Sequence, residues 1–170
     1  KATARRVAGY VFSALDAGAD AILVTCSSIG DAVDAVRPLC PVPLLRVDEG
    51  MAARAVEIGQ RIGVLATLST TLNPTRDLVG RRAAARPDAP KIVAQVCDGA
   101  VEALSRGDGA RHDALVREGI DALSREVDVI LLAQASMARV LKDEDGAPGI
   151  PVLSSPELGV LRLKAVLAGA

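Results

Sequence analysis

Aromatic side chains are almost absent from this 170-residue chain, which has one Tyr, one Phe and no Trp. Proteins that bind single-stranded nucleic acid stack bases on aromatic platforms along a basic groove. Neither feature is present, since 20 Lys and Arg are scattered among 21 Asp and Glu for a net charge of −1. No nucleic-acid partner is expected. Long apolar runs are also lacking. Half of the residues are hydrophobic and the mean hydropathy is +0.31, but charges recur every few residues and no run approaches the ~20 apolar residues that span a bilayer. Neither a membrane segment nor a signal peptide is expected.

Other absences narrow the chemistry. The three cysteines, Cys26, Cys40 and Cys97, are an odd number without a CxxC pair, which argues against a disulfide framework or a zinc site and fits a reducing cytoplasm. The one histidine, His112, lies in a polar context and reads as a solvated helix residue, so Ser-His-Asp or Cys-His catalysis is not expected. Neither GxGxxG nor GxxxxGK[ST] occurs, so a nucleotide cofactor lacks its usual signatures. No cofactor and no metal are expected.

What is present is alternation. Helical spacing over 1–17 leads into the apolar run 20–28 (DAILVTCSS), read as a buried parallel strand that ends in Thr25, Cys26, Ser27 and Ser28. A helix is expected over 29–36, a short strand over 43–47, a helix capped by Asp48 and a strand over 61–66 that runs into a second hydroxyl cluster at 67–71. Asn73-Pro74 is read as opening a helix to about 85. Strands over 91–96, 127–133 and 151–153 alternate with helices over 98–105, 110–125, 136–141 and 156–167, with a polar loop over 143–149.

The run 20–28 returns as 128–136 (DVILLAQAS), which matches Asp20 with Asp128, Ile22 with Ile130, Leu23 with Leu131, Ser28 with Ser136 and Cys26 with Gln134. Alternation plus repeat predicts an α/β protein of two similar lobes, each a parallel sheet flanked by helices, related by a pseudo-twofold axis. The first lobe is expected to take 1–60 plus 153–170 and the second 61–152. Only 19 residues precede Asp20, far fewer than precede its counterpart within the second half. An opening strand and loop of the first lobe, on the order of 45 residues, is therefore expected to be missing.

Open α/β sheets bind ligands at the carboxyl ends of their strands. A pseudo-twofold would face the loops after Cys26 and Gln134 across a small-molecule cleft. A cysteine between a strand and a helix is placed to act as a thiolate, because helix N-terminal amides favour that form. The hydroxyls of Thr25, Ser27, Ser28, Thr67, Thr70, Thr71 and Ser136, with neighbouring amides, suit a carboxylate held without a strong cation. Packing is the simpler reading for Cys40 and Cys97.

Thr25-Cys26-Ser27-Ser28 after its apolar strand, residues 63–67 (GVLAT) followed by Thr70-Thr71, and the copy at 128–136 together resemble the aspartate/glutamate/hydantoin racemase superfamily. The resemblance covers nearly the whole chain. It implies cofactor-independent proton transfer at the carbon α to the carboxylate of a small amino-acid-like substrate, between two cysteines facing each other across it. Cys26 matches the first cysteine, and Gln134 occupies the place of the second. Thr25, Ser27, Ser28, Thr67, Thr70, Thr71, Gln134, Ala135 and Ser136 fall at substrate-holding positions. The implied function is a racemase-like isomerase with one thiol. The alternatives are a one-cysteine lyase, since arylmalonate decarboxylases of the same superfamily work with a single thiol at the second motif, or a carboxylate-binding protein without turnover. Assembly into a homo-oligomer is left open.

Overall fold

The computed structural model describes residues 1–142 and 149–169. Most of the polar loop expected over 143–149 lies outside the described residues. The elements in order are α1 (Ala2–Asp16), β1 (Ile22–Val24), α2 (Gly30–Val36), β2 (Leu44–Arg46), α3 (Glu49–Ile58), β3 (Arg61–Ala66), α4 (Ser69–Ala83), β4 (Lys91–Val96), α5 (Ala100–Ser105), α6 (Gly109–Ser124), β5 (Val129–Leu132), β6 (Val152–Ser154) and α7 (Ser155–Leu167). Single 3-10 turns cover Ser27–Ile29 and Arg37–Leu39, and a longer 3-10 stretch covers Ala135–Lys142.

The fold is α/β, with parallel sheets flanked by helices. Four strands form one sheet in the order β4-β3-β5-β6, and β1 pairs with β2 in a second. The central strands β3 and β5 contain Ile62, Val64, Leu65 and Val129 to Leu132, all buried completely. Continuous apolar strands of this kind need cover on both faces. One face packs Val64, Ala66, Val129 and Leu131 against Met51, Ala55 and Val56 of α3 and Leu78 and Val79 of α4. The other packs Leu65, Ile130 and Leu132 against Val116, Ile120 and Leu123 of α6 and Met137 of the 3-10 stretch. Removing one such Leu side chain costs about 2–5 kcal/mol. A smaller core joins α1, α2 and β2 through Val7, Val11, Val33, Val36 and Leu44.

Helices α3 and α7 cross with their backbones nearly touching. A Cβ on Gly159 would lie 2.6 Å from the Val47 carbonyl oxygen, and one on Gly50 would lie 2.3 Å from that of Leu158. Both positions therefore require glycine, and their contact ties α7 to the segment after β2.

Several expectations change. Strand β1 is half-buried rather than buried, because β2 is its only paired neighbour among the described residues. Helix α4 begins at Ser69, and Pro74 lies inside it instead of opening it; the hydroxyl-rich residues 69–71 are thus the helix's first turn. Asp48 stands at the start of α3, but its side chain makes no cap hydrogen bond because other donors engage it, as described below. His112 is 1% exposed rather than solvated. Its Nδ1 lies 2.8 Å from Oδ1 of Asp113, whose Oδ2 in turn pairs with Arg139 Nε at 3.1 Å.

Candidate functional site

Parallel pairing fixes which loops meet at the carboxyl edge. The register Leu65 with Leu132 and Ala66 with Val96 places the residues after β3, β4 and β5 side by side. The bonds from Cys97 N to Ala66 O (2.8 Å) and from Ala133 N to Leu65 O (2.9 Å) carry the pairing to the strand ends. The next residues are Thr67 and Gln134. In the other sheet, Val24 pairs with Arg46, so the residues after β1, Thr25 and Cys26, emerge beside the end of β2.

Two hydrogen-bonded links join these loops. Gln134 grips Thr67 twice: its Oε1 accepts from the Thr67 backbone N–H at 2.8 Å, and its Nε2 donates to the Thr67 hydroxyl at 2.6 Å. At the other end of the same segment, Thr71 Oγ1 shares a 3.1 Å hydrogen bond with Ser28 Oγ. Residues 67–71 therefore connect the loop after β1 with the loop after β5. Thr67, Thr71 and Ser27 are buried, whereas Thr25, Cys26, Ser28, Thr70, Ala135 and Ser136 are exposed and Gln134 is half-buried. Cys26 carries an exposed free thiol just ahead of the Ser27–Ile29 turn. Among the sequence-selected positions, Ser28, Thr67, Thr71 and Gln134 make the side-chain contacts that tie the edge together, and Cys26 leaves its thiol exposed.

The other thiols differ. Cys97 is buried, and burial together with the neighbouring Asp98 charge pushes its thiol up to about 11, so it is neutral at physiological pH. Cys40 is half-buried on the edge of the α1–α2 core.

Beneath the Cys26 loop lies a charged network that the sequence reading missed. Arg46, 2% exposed, donates from Nε and Nη2 to the two oxygens of fully buried Asp48 at 3.0 and 2.8 Å. Its Nη2 also reaches the Pro74 carbonyl at 3.1 Å, and its Nη1 reaches Asp34 at 3.0 Å. Thr75 donates to Asp48 at 3.3 Å. Burial opposes the Arg46 charge, but Asp48 and Asp34 outweigh it and hold the guanidinium above its ordinary pKa. The guanidinium lies against Gly30, the first residue of α2, where a Cβ would come within 2.2 Å of Arg46 Cζ. Glu49, also buried, pairs with Arg37 and accepts from the Arg46 backbone N–H. The network thus joins β2, α2, α3 and α4 under the thiol loop. A signal existed in the sequence: Arg46 interrupts an apolar strand and is followed within three residues by Asp48 and Glu49, and a charge there is buried only if paired.

The fold and edge define a class first, an α/β protein that carries hydroxyls and a thiol at the carboxyl ends of its parallel strands. The chain belongs to the Asp/Glu/hydantoin racemase family, whose model matches residues 1–163. It is similar to a glutamate racemase of Methylococcus capsulatus, 35% identical over 124 residues that cover 69% of this chain and 44% of that protein. Glutamate racemase isoform RacE1 from Bacillus anthracis shares the fold with a TM-score of 0.72 and 18% identity, covering 98% of this chain and 66% of the other. Arylmalonate decarboxylase matches with a TM-score of 0.63 and 16% identity, over 98% of this chain and 77% of the other. The chain thus spans less than half of its sequence relative and about two thirds of the racemase structure. No helix among the described residues is long and apolar enough to cross a membrane.

Proposed function

We propose that this chain carries the site of an amino-acid racemase-like isomerase that acts at the carbon α to a carboxylate, with Cys26 as the acid/base. The supporting observation is the exposed Cys26 thiol on a loop tied through Ser28 and Thr71 to the hydroxyl-rich start of α4. The Cys26 thiolate removes the α-proton and becomes a thiol, and the electron pair left on carbon delocalises into the carboxylate. Hydroxyls at Ser28, Thr67 and Thr70, with the N–H groups of the first turn of α4, receive the charge that accumulates there. Water on the opposite face of the planar carbanion then supplies the proton that inverts the centre, and the hydroxide left behind takes the proton from the Cys26 thiol, restoring the thiolate. The scheme uses the chain's own groups and water without a cofactor, on a small carboxylate substrate.

A second reading, the one-cysteine lyase, is favoured by Gln134. An amide neither gains nor loses a proton near neutral pH, so a single thiol delivers protons from one face. A decarboxylase needs no more: loss of carbon dioxide leaves the carbanion, and Cys26 protonates it. Both readings are tested by incubating the protein in deuterated water with a panel of amino acids, hydantoins and 2-substituted malonates. Isomerase action predicts α-deuterium incorporation; lyase action predicts carbon dioxide release and one product enantiomer. Cys26→Ala is expected to lower either activity by about 10²–10⁴-fold. An activity unchanged in that variant removes Cys26 from the mechanism, and binding without any turnover leaves a carboxylate-binding protein.

A further inference from the structure

We propose that Gln134 is a positioning residue that fixes Thr67 as a hydrogen-bond donor, turning the end of β3 into a receptor for a carboxylate. This deepens the reading above and rests on its placement of a carboxylate at this edge. A backbone N–H only donates, so the Gln134 atom facing Thr67 N at 2.8 Å is the carbonyl Oε1. That sets the orientation of the whole amide. Nε2, which carries only hydrogens, then faces Thr67 Oγ1 at 2.6 Å, and the hydroxyl must accept. A hydroxyl has a single hydrogen. With one lone pair held by Gln134, Thr67 directs that hydrogen to an acceptor on its other side, and an ionised carboxylate is acceptor only. A cysteine at 134 could not do this, because a thiol has one weak donor hydrogen and no second atom with which to accept from the Thr67 N–H. Gln134 thus gives up proton transfer at its own loop and fixes the polarity of its neighbour.

The test is isosteric. In Gln134→Glu the side chain keeps its size and still accepts from the Thr67 N–H, but the carboxylate has no hydrogen to give. Thr67 then donates to Glu and presents lone pairs to the site. In Gln134→Ala the hydroxyl is released to donate freely. We would titrate ¹⁵N-labelled protein at pH 7 with malonate, D-glutamate and L-glutamate and follow the Thr67 amide resonance. At least one of the three is expected to shift it in the unsubstituted protein. Gln134→Glu should weaken that ligand's binding at least about tenfold, and Gln134→Ala should weaken it less. A residue that only holds structure predicts the reverse order, with the truncation the worse of the two.

A Thr67 resonance indifferent to all three ligands overturns the proposal, as does Gln134→Glu binding as tightly as the unsubstituted protein or Gln134→Ala binding more weakly than Gln134→Glu. Should Gln134→Glu not fold, Thr67→Ser and Thr67→Val make the same distinction: Ser retains binding and Val loses it, and equal binding by both overturns the proposal. The titration needs no turnover. Binding at Thr67 without α-proton exchange fails the isomerase reading and leaves this one standing, while Cys26-dependent exchange with Thr67 unperturbed does the opposite.

Discussion

The loops that follow β1 and β5 arise from matching sequence and end in opposite physical states. The first exposes Thr25, Cys26 and Ser28, is tied across to α4 by the Ser28–Thr71 hydroxyl pair, and rests on the buried Arg46–Asp48 network through Gly30. The second grips its neighbour directly, with both polar atoms of the Gln134 amide on Thr67. The exposed Cys26 thiol is not the tie of its loop, which the neighbouring Ser28 hydroxyl supplies instead. The β1 loop has its support beneath, in the buried Arg46–Asp48 pair. The β5 loop has no thiol to keep free and supports itself.

The comparison breaks most severely at Asp48. Asp48→Ala leaves the Arg46 guanidinium buried beside an empty place, and removing one partner of a buried ion pair costs about 3–5 kcal/mol. Urea denaturation should show that loss, and Cys26-dependent activity should fall with it as the loop above relaxes. Gly30→Ala attacks the same support from above: the new methyl would overlap the guanidinium, at 2.2 Å from Cζ, and overpacking of this kind costs about 1–3 kcal/mol. A Gly30→Ala protein as stable as the parent would show that Arg46 does not bear on the loop.

The next effect is smaller and separates the loops themselves. Thr71→Val removes the hydroxyl that meets Ser28 and should cost about 0.5–1.5 kcal/mol, with a larger fractional loss of activity than of stability because the thiol loop loses its tie to α4. Double-mutant analysis with Ser28→Ala checks this. Coupling between the two positions near zero would mean that the 3.1 Å contact contributes nothing.

Much of the edge was legible in the sequence for a simple reason: buried parallel strands are written as unbroken apolar runs, and the polar residues that follow must lie at a sheet edge. Hence Thr67, Thr71, Ser28 and Gln134 could be named before their contacts were seen. Three features were not legible. Helix α4 starts at Ser69 instead of Asn73 because the first turn of a helix takes hydroxyl residues readily, and Pro74 is accommodated inside the helix while its carbonyl accepts from Arg46. Asp48 looked like a helix cap because Asp before a helix usually is one; the charge two residues before it was a signal for pairing, but only the fold buries Arg46 against it and brings up Thr75. His112 has polar sequence neighbours, but its ring is buried at the start of α6 beside Asp113. In each case the deciding partner is distant in sequence or on a face that local spacing does not specify.

The smallest expected effect lies at the other end of the repeated strand. Asp128 precedes β5 and, through its two carboxylate oxygens, accepts from the backbone N–H groups of Gln60 and Arg61 at 3.1 and 2.9 Å and from the Arg61 guanidinium at 3.0 Å. It clamps the amino ends of β3 and β5 in register, as Gln134 clamps their carboxyl ends. The Arg61 side chain, followed by the backbone donors, holds the Asp128 carboxyl below its ordinary value of 3.8. A carboxyl with a depressed folded-state pKa binds protons less readily in the native state than in the unfolded chain. Its contribution is therefore fully present above the unfolded pKa of about 3.9 and is lost as pH falls through the folded value. Asp128→Asn should flatten the acid limb of the stability curve as pH falls below the ordinary carboxylate range while changing stability at pH 7 only slightly, and added salt should shrink even that difference, because the pair is exposed. An Asp128→Asn protein whose acid limb superimposes on the parent's would show that the clamp at this end works through the backbone bonds alone, leaving Gln134 as the end of the strand where a side chain's polarity matters.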